Sequence, residues 1–124
     1  MDKTQVPSDT PITETEDGKV YTNVLRVKAD PEGTSDDQRK KNVKSLAGAI
    51  AHSLRRFGEV HVRAIGMAAV YKATKAMIEA RGFVAVHGFD LYFCPGYMTA
   101  NDMSGKDEIT GMSFLVVSSQ NEGK

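Results

Sequence analysis

The sequence has one cysteine and no tryptophan, and it has neither a long apolar run nor a paired metal-ligand motif. Each shortage closes off a class of protein. A lone cysteine, Cys94, cannot build an internal disulfide framework and suits a reducing compartment. No apolar stretch approaches the roughly 20 residues that cross a bilayer. The first residues are acids and threonines, without the basic start and apolar centre of a secretory leader. A soluble, cytoplasmic protein with no membrane partner is expected. His52, His61 and His87 fall on a helix, a strand and a bend, with no ligand spacing, so no metal and no other cofactor is expected. Ser104-Gly105-Lys106-Asp107 superficially looks like a phosphate loop, but it lacks the upstream glycine and the hydroxyl after the lysine. Cys94 sits at a strand end before Pro95 with no cation beside it, which reads as a small buried packing residue rather than a reactive thiol. No catalytic residue is identified, and the chain is not expected to be an enzyme.

What is present is a single domain's worth of chain with a lopsided charge. The 124 residues carry 16 basic and 16 acidic side chains. Residues 39–81 hold ten Lys/Arg against two Asp/Glu, while the flanking segments 1–22, 23–38 and 82–124 are each acidic. A neutral chain with a basic centre points to polyanionic partners.

Residues 1–22 are polar, Thr-rich and poor in large apolar groups, so they are expected to form a disordered tail. Val24–Ala29 reads as a first strand, followed by the turn chemistry of Asp30-Pro31-Glu32-Gly33 and a mobile TSDDQ segment. Val43, Leu46, Ala47, Ile50, Leu54 and Phe57 then repeat at helical period, and Gly58 supplies a left-handed stop. Lys40, Lys41 and Lys44 would occupy the opening turns of that helix, where cations oppose the helix dipole by a few tenths of a kcal/mol each. A bound phosphate would offset that conflict, and so would bulk salt.

Glu59–Ile65 alternates as a second strand, with Val60, Val62 and Ala64 facing one way and His61 and Arg63 the other. Gly66 turns the chain into a second helix with an Ala-rich inner stripe and Gly82 as its cap. The free N–H groups at that junction can hold an anion. Phe89–Cys94 and Ile109–Ser118 read as the last two strands, separated by a long acidic loop from Tyr97 to Glu108. Residues 120–124 are expected to fray. The order β-α-β-α-β-β predicts an α+β, two-layer domain over residues 23–119, with a four-stranded mixed sheet and both helices on one face.

The runs SLAGAIA (Ser45–Ala51), VRAIG (Val62–Gly66), KATKA (Lys72–Ala76), ARGFV (Ala80–Val84) and FDLYFCP (Phe89–Pro95) resemble the stage V sporulation protein S family of bacteria. More distantly, the element order with a glycine opening the second helix is similar to the Alba family of dimeric chromatin and RNA-binding proteins. The resemblance implies an Alba-like sandwich, a homodimer, and a regulatory role in sporulation or development exercised through DNA, RNA or a regulatory protein partner. It carries the nucleic-acid contacts onto Lys40, Lys41 and Lys44 at the first helix and onto Arg63, Gly66 and Lys72 around the second. The loop between the last strands departs from the Alba pattern, with only Lys106 against Asp102, Asp107 and Glu108. Backbone contact with little sequence preference is the mode these residues favour. A different class remains open: a dimeric protein-interaction module with no nucleic acid, using the apolar side of the second helix at Tyr71 and Met77.

Overall fold

The structure is a computed structural model and describes residues 12–101 and 108–120. Its elements are β1 (Thr13–Glu16), β2 (Lys19–Thr22), β3 (Val24–Val27), α1 (Asp36–Phe57), β4 (Glu59–Ala64), α2 (Met67–Ala85), β5 (Phe89–Asn101) and β6 (Glu108–Gln120). The main sheet has the order β3-β4-β6-β5, with β3 and β4 parallel and the other pairs antiparallel. The expected α+β class and the four-stranded mixed sheet are both present. Among the described residues, no helix is long and apolar enough to cross a membrane.

Alternation decides which face each strand buries. Val27 of β3, Val60, Val62 and Ala64 of β4, Leu91 of β5, and Phe114 and Val116 of β6 join one buried cluster. From above, α1 contributes Val43, Ala47, Ile50 and Leu54, and α2 contributes Ala69, Ala73, Ala76, Met77, Ala80 and Val84 to the same cluster. Both helices therefore lie on one face of the sheet. The alanines of α2 let it lie close against α1, whose bulkier Ile50 is fully buried in the same cluster as Val60 and Val62.

Several expectations are corrected. The first helix starts earlier than the apolar pattern alone suggests, because Ser35 caps it: its Oγ accepts a hydrogen bond from the Gln38 N–H at 3.1 Å. TSDDQ is thus a cap and first turn, not a mobile loop. Asp36 and Asp37 hold the positive end of the dipole, and the lysines stand further in, so the anticipated charge conflict is removed. Gly82 does not end α2. Val84 remains in the core and carries the stripe one turn further, and Gly88 at φ 81° provides the reversal.

Pro95-Gly96 does not end β5 either, since β5 lies at the sheet edge, where alternate backbone nitrogens face away from the ladder and proline is tolerated. The expected loop is shortened accordingly: Tyr97–Asn101 and Glu108 are strand, and residues 102–107 lie outside the described residues. Cys94 is exposed rather than packed.

Residues 13–22, expected to be without structure, form the β1–β2 hairpin around Asp17 and Gly18, both at positive φ. Asn23 anchors it to the domain. Asn23 Oδ1 accepts from the Ile12 N–H at 2.8 Å, and the Asn23 carbonyl accepts from the His61 N–H at 2.7 Å. Arg56 of α1 stacks on Tyr21, 4.0 Å from the ring centre, and pairs with Glu14 at 2.9 Å and Glu16 at 3.4 Å. The rest of the expected tail, residues 1–11, lies outside the described residues, as do 121–124 of the end expected to fray over 120–124, whose first residue, Gln120, closes β6.

Candidate functional site

Because β3 and β4 are parallel, α1 and α2 both begin at the carboxyl ends of these strands. That topology gathers the residues singled out in the sequence at one end of the molecule, though not on one surface. Lys40, Lys41 and Lys44 are exposed on the opening half of α1. Gly66 is the N-cap of α2, with φ 94° and ψ 155°, a conformation open essentially to glycine alone. A Cβ there would meet nothing within 4 Å, so the backbone angle, not space, requires glycine.

Lys72 lies between the two helices and the end of β3. Its ammonium donates to Asp30 Oδ1 at 2.7 Å and to the Lys28 carbonyl at 2.9 Å. Asn42 of α1 donates to the same Asp30 oxygen at 2.9 Å. The Asp30 side chain is only 7% exposed. The Lys72 hydrogen bond, then the Asn42 one, hold its carboxyl below the usual aspartate range, against the opposing effect of burial. Lys72 is therefore already neutralised and works as a clasp joining β3, α1 and α2.

Arg63 stands on the sheet face turned away from the helices, because its neighbours Val62 and Ala64 point into the core. Directly opposite it in the parallel ladder is Arg26. Val27 beside Arg26 is also in the core, so both guanidiniums share the outer face. Like charges placed opposite each other across strands repel. Neither arginine has a carboxylate partner among the described residues, and Arg63 Nε is enclosed without a hydrogen-bond acceptor. Just past the end of β3, Lys28 joins Arg26 and Arg63 around a groove of about 510 Å³ that Ile65 and Met98 also line. Sequence reasoning missed Arg26 and Lys28. The alternation in VLRVK marks them as outward-facing, but only the register of two strands far apart in sequence sets Arg26 beside Arg63.

The remaining groups divide between pairing and packing. Arg56 is engaged by the hairpin acids, and Arg81 Nε donates to Asp90 at 2.7 Å. His61 is buried, with Nε2 3.5 Å from Glu59 Oε2 but outside hydrogen-bond geometry. Among the described residues, no cluster of His, Cys, Asp or Glu could hold a metal ion. Met77, expected on an exposed apolar side of α2, is core, whereas Tyr71 is 67% exposed. With Met67 (90%) and Tyr97 (85%), Tyr71 rims an apolar groove of about 470 Å³ between the start of α2 and the last two strands.

Residues 38–119, which span α1 to the last strand, match the family model of stage V sporulation protein S. The match takes in more than half of the chain, including Lys40, Lys41, Lys44, Arg63, Gly66 and Lys72, and the chain belongs to the stage V sporulation protein S family.

Proposed function

We propose that this member of a sporulation family is a cytoplasmic regulator that binds DNA or RNA through the phosphate backbone with little sequence preference. The observation that carries the reading is the gathering, at the carboxyl end of the β3–β4 pair, of cations that have no carboxylate partner among the described residues. Lys40, Lys41 and Lys44 line the α1 side of that end, and Arg26, Lys28 and Arg63 line the sheet side. Charges at one end of a small domain sum to a field that attracts polyanions even when the net charge is zero. The two-layer β-α-β-α-β-β arrangement supports an Alba-like layout, and a two-fold dimer would double the basic surface. Gly66 shapes the turn between the two cation groups, and Lys72 braces it through Asp30 rather than contacting phosphate as a free charge.

The test is binding of the full chain to single- and double-stranded DNA and RNA at two or more salt concentrations. Binding that weakens by about three decades between low and moderate salt is expected if the dimer neutralises six or so phosphates. Affinity insensitive to salt, or no affinity for any of the four, rejects the reading.

A second reading has its own observation. Met67, Tyr71 and Tyr97 expose large apolar area around one groove, which suits contact with a second copy of the chain or a regulatory protein. Tyr71→Glu should shift the parent from dimer to monomer in sedimentation equilibrium without loss of helical signal. A parent that sediments as a monomer removes the dimer from the proposal.

A further inference from the structure

We propose that Arg26, Lys28 and Arg63 form a discrete site for the phosphate group of a nucleotide on the sheet face away from the helices, with the base against Ile65 and Met98. The inference rests on the reading of the chain as a phosphate binder and names the place where one phosphate is held. Arg26 and Arg63 are in register on adjacent parallel strands, whose backbones run about 4.8 Å apart. Like charges in register on adjacent strands repel each other, and an anion between them would offset that repulsion. Neither has a carboxylate partner among the described residues. The enclosed Arg63 Nε–H also lacks an acceptor, which leaves a buried donor unsatisfied at a cost the fold could have avoided with lysine or glutamine.

A phosphate oxygen approaching the pair supplies what is missing, because planar guanidinium forks match its geometry. Lys28, one residue past the end of β3, adds a third cation to the groove. The ligand class follows from the other lining residues. Ile65 and Met98 offer an apolar wall beside the cations, with Thr99 at the rim, in a groove of about 510 Å³. That volume is in the range of small-ligand sites, roughly 300–1,000 Å³. A bare inorganic anion would leave the apolar wall unused, whereas a nucleotide fills both parts. The site lies on the sheet face, apart from the α1 lysines, so it could hold a free nucleotide or one unit of a single strand crossing the sheet.

The experiment titrates the full chain with AMP, adenosine and a short single-stranded oligodeoxythymidylate. Fluorescence anisotropy measures affinity, and the arginine Nε–Hε resonances report the site. Arg26→Gln and Arg63→Lys are compared with the parent, and Lys75→Gln, a cation of α2 outside the groove, controls for net charge. AMP and the oligonucleotide should each move the Arg26 and Arg63 signals. Both substitutions should weaken each ligand by roughly tenfold, and Lys75→Gln should not. Because Arg63 is half-buried, exposed Arg26 carries the test if Arg63→Lys loses its native spectrum.

Binding of AMP without the oligonucleotide supports the site as one for a free nucleotide and overturns its role in holding a single strand of DNA. Oligonucleotide binding that is equal in the parent and both variants overturns the site while the wider reading stands. Adenosine binding as tightly as AMP overturns the role of the phosphate. Failure of both AMP and the oligonucleotide to bind overturns the site, and the wider reading then stands or falls on double-stranded DNA and on RNA.

Discussion

At the scale of single residues, the Asp30–Lys72 clasp ties charge to stability. A carboxyl whose folded-state pKa is depressed contributes stability that is present above its unfolded pKa and is lost as pH falls through the folded value. Asp30→Asn should therefore be less stable than the parent at neutral pH, and the gap should close below about pH 4. Urea unfolding at a series of pH values reads this directly, and a gap that stays constant through the acid range would show that the pair contributes nothing. Steric fit can be tested at the same scale with two glycines of the last hairpin. A Cβ on Gly111 would sit 2.7 Å from Ile65 Cγ1 and 2.8 Å from the Ala64 carbonyl, so the backbone must shift. On Gly96 the nearest atom outside its chain neighbours is the Ser113 carbonyl at 3.9 Å. Gly111→Ala should cost about 1–3 kcal/mol in urea unfolding, and Gly96→Ala less than about 0.5. Equal costs at the two positions would contradict the close approach of β6 to the end of β4.

At the scale of elements, legibility tracked how local each signal is. The α1 face could be read because Val43, Ala47, Ile50 and Leu54 repeat at the helical period, and all four are buried. The β1–β2 hairpin was overlooked although Asp17-Gly18 is a strong hairpin turn, because its strands bury little of their own surface. What holds them is Arg56, far along the chain, through two exposed ion pairs and a stack on Tyr21. Such contacts are worth about 1–2 kcal/mol together. Arg56→Ala should thus speed amide hydrogen exchange in residues 19–22 by roughly tenfold and leave the β4–β6 ladder unchanged. Protection that survives in the variant would mean that Asn23 alone anchors the hairpin.

For the whole molecule, the question is where unpaired charge accumulates. Glu14 and Glu16 quench Arg56, Asp30 quenches Lys72, and Asp90 quenches Arg81, which removes several cations from the basic centre. Lys40, Lys41 and Lys44 remain exposed at the end where both helices begin. Replacing all three with glutamine should flatten the log–log salt dependence of nucleic-acid binding by about three per protomer, one for each phosphate no longer neutralised. An unchanged slope would move the binding surface elsewhere, and the Arg26–Arg63 face would then be the first place to look. The order of elements from β3 to β6, the core stripes and the basic middle were written into the chain, because apolar periodicity and composition act over a few residues at a time. Strand register, the pairing of Lys72 with Asp30 and the juxtaposition of Arg26 with Arg63 depend on residues far apart in the chain meeting one another. Such meetings happen only after the helices have packed on the sheet, so folding alone settles which cations are neutralised and which stay free.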